Sequence, residues 1–243
     1  MRIGIFDSGI GGINVLKELI NKYPNNEYIF YGDTINLPYG SKSIDELKLF
    51  ASNIIDFLIS KEVDLIIIAC GTISSNCYSY LKNKYSIPIY DIISPTINYI
   101  DNSSFNNIGV IGTERTIDSK IFEKSNKVKL VKATKNFVKI IEDGIIESNE
   151  IKEIENELNI FKNKVDALVL GCTHYPFISN IIEDYLEIPT IDMGLCLLKE
   201  LNLSNNSNKQ IELYFSNINE NLKNNISRII NEDFTIFELI INK

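Results

Sequence analysis

Two pseudo-symmetric, doubly wound α/β domains facing each other across a cleft are the fold class predicted by this sequence. Three observations predict it. Apolar runs of strand length alternate with stretches of helical periodicity, as in a parallel sheet covered by helices on both faces. Two of those runs end alike, Asp64-Leu65-Ile66-Ile67-Ile68-Ala69-Cys70-Gly71-Thr72 and Asp166-Ala167-Leu168-Val169-Leu170-Gly171-Cys172-Thr173. Four positions also recur in register: Gly4 with Gly109, Cys70 with Cys172, Pro88 with Pro189, and Asp91 with Asp192, each pair roughly 100 residues apart.

The first strand is Ile3-Gly4-Ile5-Phe6, followed by the glycine-rich turn Asp7-Ser8-Gly9-Ile10-Gly11-Gly12. Val15, Leu16, Leu19 and Ile20 then recur at helical spacing until Pro24. The glycines do not fit GxGxxG, so they read as a tight turn rather than a dinucleotide site. A second strand is expected over 27–31, then a loop carrying Gly32-Asp33-Thr34 and Leu37-Pro38-Tyr39-Gly40. Ser43 and Glu46 form a capping box that opens a helix striped by Leu47, Phe50, Ile54 and Leu58. The first cysteine strand comes next, then a helix around Tyr78 and Leu81 and a strand over 87–91. From Ser94 the pattern restarts. Ile108-Gly109-Val110-Ile111-Gly112-Thr113 is strand then turn, with a helix expected from about Thr116. An apolar stretch over 137–141 ends at Glu142-Asp143-Gly144, and Ile151, Ile154, Leu158 and Phe161 stripe a helix before the second cysteine strand. Residues 188–192 mirror 87–91. A linker is expected over 203–208, before one more β-α-β group.

The chain of 243 residues is 44% hydrophobic, enough for one large domain or two small ones. No apolar run is long enough to span a membrane. The N-terminus enters a strand at once, leaving no room for a signal peptide, and four cysteines without CxxC spacing suit a reducing compartment. A cytoplasmic protein is expected. The net charge of −8 with no basic cluster argues against nucleic acid as a partner. A small anionic ligand remains compatible, because helix N-termini bind anions locally.

Cys70 and Cys172 each sit where a strand gives way to a turn, at the end where parallel sheets bind ligands. Helix N-termini there are expected to lower a thiol pKa and make thiolate available near neutrality. His174, the single histidine, follows Cys172 by two residues and can serve as its proton partner. Cys77 and Cys196 read as core. Three chemistries could use this set. A Cys–His hydrolase needs one thiol and leaves the second idle. A metal site lacks the usual paired ligand spacing. Inversion of a carbon bearing hydrogen uses both thiols, one removing a proton from one face and the other returning a proton to the opposite face.

The motifs around Asp7 to Gly12, Gly32-Asp33-Thr34, Pro38-Tyr39-Gly40, Ala69-Cys70, Gly109-Val110-Ile111-Gly112-Thr113 and Leu170-Gly171-Cys172-Thr173-His174-Tyr175-Pro176 resemble those of glutamate racemase, in matching order from residue 3 to about 194. That family makes D-glutamate for peptidoglycan without a cofactor, so neither pyridoxal phosphate nor a metal is expected. The resemblance implies that Cys70 exchanges a proton with the D-enantiomer and Cys172 with the L-enantiomer, assisted by Asp7 and His174. Asp7, Ser8, Pro38, Tyr39, Gly40, Gly71, Thr72, Thr113, Thr173 and His174 would hold the amino-acid substrate. It implies two domains, residues 1–93 with 204–243 and residues 94–203. Members of the family often form homodimers, although no surface in this sequence announces an interface.

The match departs at three places. Gly71 stands where the family usually has Asn, Met193-Gly194 where it has Ser-Gly, and Thr134-Lys135-Asn136 where it has Cys-Pro-Leu. Glu142 keeps an acidic position. With Gly71 in place, aspartate is the alternative substrate, because the same two-thiol chemistry serves both. A noncatalytic relative that binds an amino acid or a protein is the alternative from another class; it would not need Asp7, Cys70, Cys172 and His174 together.

Overall fold

All strands described in the structure, a computed structural model, pair in parallel. The described residues are 1–144, 146–204 and 208–241. The first part of the chain runs β1 (Arg2–Asp7), α1 (Gly12–Lys22), β2 (Glu27–Gly32), α2 (Ile44–Ser60), β3 (Leu65–Ile68), α3 (Gly71–Lys84), β4 (Ile89–Asp91) and α4 (Ile93–Asn102). The second runs β5 (Ile108–Gly112), α5 (Glu114–Asp118), β6 (Val128–Ala133), α6 (Phe137–Asp143), α7 (Ser148–Leu158), β7 (Ala167–Gly171), α8 (Ser179–Leu186), β8 (Thr190–Asp192) and α9 (Met193–Glu200). The tail adds β9 (Gln210–Phe215), α10 (Glu220–Ile229) and β10 (Thr235–Glu238). Of the expected linker, residues 205–207 lie outside the described residues.

Two sheets result, with strand orders β10-β9-β2-β1-β3-β4 and β6-β5-β7-β8. Setting the tail strands aside, the two orders are the same, and so is the register. Gly4 lies opposite Ile66, four residues before Cys70; Gly109 lies opposite Leu168, four residues before Cys172. Asp91 pairs with Ile68 and Asp192 with Leu170, each two residues before its cysteine. The internal repeat of the sequence is therefore a structural one.

The aspartates that open the cysteine strands tie each to its neighbour. Asp64 donates its N–H to the Arg2 carbonyl and accepts from the Arg2 N–H (2.8 and 2.7 Å). Asp166 does the same with Asn107 (2.7 and 2.9 Å). Asp91 and Asp192 accept backbone N–H groups at the starts of α4 and α9, which pack together. Strand alternation sorts the core. Leu65, Ile67, Ala167 and Val169 face a layer between the two sheets, shared with α1 and α9. Ile66 and Ile68 face the cluster under α2 and α3, whereas Leu168 and Leu170 face the cluster under α7 and α8.

Strand β6 has no counterpart among the elements read from the sequence. Its Val-Lys-Leu-Val-Lys-Ala is half-buried at a sheet edge, where lysines such as Lys129 and Lys132 blunt the open side and break the apolar run. The helix expected from about Thr116 starts two residues earlier, because Thr113 Oγ1 accepts the Thr116 N–H and caps it (3.3 Å). The Ser43–Glu46 capping box forms as expected. Among the described residues no helix is long and apolar enough to cross a membrane.

Candidate active site

Both cysteine strands deliver their thiols to one place. Cys70 sits at the N-cap position of α3, just beyond β3, and Cys172 directly follows β7. Both line one cavity of about 220 Å³. Ser8, Pro38, Tyr39, Gly40, Gly71, Thr72, Thr113, Thr173 and His174 share its wall, as do Leu37, Ser41, Glu114, Thr134, Lys135 and Val138. Of the candidate residues, Asp7 alone is off the wall, fully buried behind it. Cys77 and Cys196 are buried in the core, away from this cavity.

The two thiols have unlike neighbours. His174 places Nδ1 3.7 Å from Cys172 Sγ, and its Nε2 donates to Glu142 Oε1 at 2.7 Å. Burial by itself lowers the imidazole pKa, but the Cys172 and Glu142 partners outweigh it and hold the ring well above 6.5. Those two partners favour a positive charge on the ring, beside the Cys172 sulfur. Cys70 faces the opposite case. Burial pushes its thiol pKa up, and the nearby Asp7 carboxylate pushes it further. This corrects the expectation of a thiol activated by its helix terminus: loss of water at a fully buried site outweighs the terminus. Burial also raises the Asp7 carboxyl pKa. Asp7 Oδ2 accepts from the Gly12 N–H (2.7 Å) and from Thr173 Oγ1 (3.0 Å), while Oδ1 has no hydrogen-bond partner among the described residues.

The cavity lies on a seam between the two sheets, and the seam is bonded across. Besides Asp7–Thr173, Thr72 Oγ1 and Thr113 Oγ1 share a hydrogen bond at 3.0 Å, and Arg115 Nε donates to the Lys42 carbonyl at 2.7 Å. Tyr39 is held in the wall by donating to Asp33 Oδ2 (2.6 Å), and Asp33 is held in turn by Asn36. Among the described residues no group of three or more His, Cys, Asp or Glu side chains is gathered as metal ligands.

Residues 13–201 match the family model described as Asp/Glu/Hydantoin racemase. The chain belongs to that racemase family. It is 37% identical over 242 residues to glutamate racemase of Aquifex aeolicus, covering 96% of this chain and 95% of that one. Against the glutamate racemase of Fusobacterium nucleatum it is 39% identical over 232 residues, 88% of this chain and 87% of the other. The crystal structure of the Francisella tularensis glutamate racemase in complex with D-glutamate superposes with a TM-score of 0.87 at 30% identity, covering 99% and 98% of the two chains. The protein is thus an isomerase of the amino-acid racemase type, with the two-domain α/β fold of that family.

Gly71 has a structural reason in this racemase. A Cβ there would lie 2.7 Å from the Gly171 carbonyl oxygen and 3.3 Å from Met193 Cε. The first turn of α3 therefore closes directly onto the end of β7, and Met193 fills the space beside it. An asparagine at position 71 requires that turn to withdraw.

The sequence marks Glu142 only as an acidic position, and its bond to His174, 32 residues away, is a tertiary feature. The same holds for Asp33 beneath Tyr39. No local spacing encodes either pair. The His174–Glu142 bond carries a pH signature. A folded-state pKa raised above the unfolded value adds stability that is complete below about pH 6.5 and is lost as pH rises through the raised value. Glu142→Gln removes part of that raise. Denaturant melts are expected to find the variant less stable by about 1.5 kcal/mol near pH 6, with the gap narrowing as pH climbs past the raised imidazole pKa. An equal gap at both ends of that range would make Glu142 a packing residue only.

Proposed function

We propose that the protein interconverts L- and D-glutamate without a cofactor, using Cys70 and Cys172 as two opposed acid–base groups. The observation that carries this reading is that both thiols line a single cavity, at equivalent ends of two repeated sheets. In one direction the Cys172 thiolate takes the α-proton of L-glutamate and the Cys70 thiol gives its proton to the opposite face. The C–H bond breaks on one side and forms on the other, and the enzyme is left with Cys70 as thiolate and Cys172 as thiol. D-Glutamate enters that second form and reverses the step. His174 steadies a thiolate at Cys172. The ammonium group of the bound amino acid supplies positive charge beside Cys70 and Asp7, offsetting the cost that burial sets on a thiolate there. The carbanion needs donors aimed at the carboxylate that shares its charge. The backbone N–H groups at the start of α3 and the hydroxyls of Ser8, Thr72, Thr113 and Thr173 are the donors proposed for it, with Pro38, Tyr39 and Gly40 shaping the wall.

The reading extends to the chain and its setting. Residues 1–93 with 204–243 form one domain and residues 94–203 the other, a division supported by the tail strands joining the first sheet. The product D-glutamate serves peptidoglycan synthesis in the cytoplasm. Aspartate is the second substrate to consider, because Gly71 leaves substrate recognition there to backbone N–H groups.

The test is proton NMR in D2O on reduced protein without added cofactor, offering each enantiomer of glutamate and aspartate. Loss of the α-proton signal together with inversion of glutamate is the expected result. Faster inversion of aspartate would reassign the substrate, and no exchange with any of the four would overturn the racemase mechanism.

A further inference from the structure

The cavity wall carries three ionisable side chains besides its two thiols and Tyr39: His174, Glu114 and Lys135. His174 is committed to Cys172 and Glu142 on the buried side. Among the described residues, Lys135 is therefore the one cation of the wall that is not already engaged with a thiol. An acidic amino acid brings two carboxylates and one ammonium group, hence a net negative charge, into a site that already holds thiols, a carboxylate behind the wall and a carboxylate at its rim. The protein as a whole is also acidic, at −8. An anion entering such a site gains from a local cation far more than from the molecule's overall field.

Lys135 is placed to be that cation. Its Nζ lies 2.9 Å from Glu114 Oε1, with the lysine side chain 73% and the glutamate side chain 45% exposed, so the pair stands at the cavity rim in contact with water. Ion pairs of this kind exchange partners readily because solvent screens them. The backbones on both sides are fixed. Thr134, just before the lysine, donates its N–H to the Gly112 carbonyl (3.0 Å), and its hydroxyl bonds to the Tyr175 hydroxyl (2.6 Å). Glu114 starts α5 directly after the capping Thr113. Only the two side chains need to move for the ammonium group to change partner.

We propose that Lys135 is a specificity-determining residue: it receives the side-chain carboxylate of the amino acid at the cavity rim, and Glu114 is the carboxylate it leaves to do so. This rests on the racemase reading above. Glu114 holds the lysine over the opening and keeps its charge matched. On binding, the substrate carboxylate displaces Glu114, whose exposed side chain turns to water. A cation placed here favours amino acids with an acidic side chain over their amides. The two residues therefore act on affinity with opposite signs, which a salt bridge that merely joins α5 to the end of β6 would not do.

The test compares the parent protein with Lys135→Met, Lys135→Arg and Glu114→Gln. Each is titrated calorimetrically with racemic glutamate, so that turnover leaves the ligand composition unchanged, and α-proton exchange is followed in D2O on the same samples. Lys135→Met is expected to weaken binding about tenfold, Lys135→Arg to stay within about twofold, and Glu114→Gln to tighten binding about two- to threefold. Equal affinities across the set, or weakening in both Lys135→Met and Glu114→Gln, would overturn the assignment. A parent protein that binds glutamate but exchanges no α-proton would sink the two-thiol mechanism while the affinity pattern still decided Lys135. A parent that binds no glutamate would overturn both.

Discussion

Serine in place of Cys70 is expected to lower inversion of glutamate by about a thousandfold while leaving a slow, one-sided exchange of the α-proton. A serine hydroxyl has neither the acidity to give up a proton nor the basicity of a thiolate, and loss of one acid–base group costs about 10²–10⁴ in rate. With Cys172 intact, L-glutamate can still surrender its proton and take one back on the same face. D-Glutamate, which in the proposed mechanism presents its proton to position 70, cannot. Cys172→Ser should give the mirror image, with slow exchange of D-glutamate and none of L-glutamate. The measurement is α-proton loss in D2O with chiral analysis of each enantiomer. Inversion that survives either substitution would end the two-base mechanism. Loss of exchange from both enantiomers in only one of the two variants would point instead to a single working thiol. The cavity predicts symmetry because the two cysteines occupy equivalent registers in the repeated sheets.

A methyl group added at Gly11 is expected to cost about a hundredfold in kcat, although Gly11 bears no functional group. A Cβ at that position would sit 2.4 Å from Thr173 Oγ1 and 2.7 Å from His174 Nδ1. Neither contact can be tolerated, so the turn after β1 and the turn after β7 must move apart. That separation breaks the Thr173–Asp7 hydrogen bond, and the contact at Nδ1 turns the His174 ring off Cys172. Misplacement of a catalytic group by about 1 Å is enough for a loss of this order. The overpacking should also destabilise the fold by about 1–3 kcal/mol. Kinetics at a temperature where circular dichroism shows the variant folded will separate the two effects. Near-parental turnover in a folded Gly11→Ala protein would mean that the seam between the sheets is looser than its contacts indicate.

Much of the fold is legible in the sequence because its central strands are buried on both faces. Leu65 to Ile68 and Ala167 to Gly171 are continuous apolar runs because no face of either strand meets water. The repeat is legible because glycine, cysteine and aspartate hold equivalent posts in the two sheets. Strand β6 is not legible for the opposite reason: at an open edge its lysines interrupt the apolar run. The cysteines, His174 and the wall motifs stand out as residue types gathered at strand ends. Their partners do not. The bonds His174–Glu142, Tyr39–Asp33 and Lys135–Glu114 follow from where strand ends and loops come together, and no residue spacing records them.

What the sequence determined by itself is the parallel α/β plan, the duplication and the placing of a cysteine at two equivalent strand ends, since each is written in local patterning and in short motifs. The tertiary structure decided the electrical character of the site. Cys70 and Cys172 end near-identical strands, yet one lies near a buried carboxylate and the other beside an imidazole backed by Glu142. That difference comes from docking two similar but unlike sheets across a seam, where burial removes water and makes each neighbouring charge count.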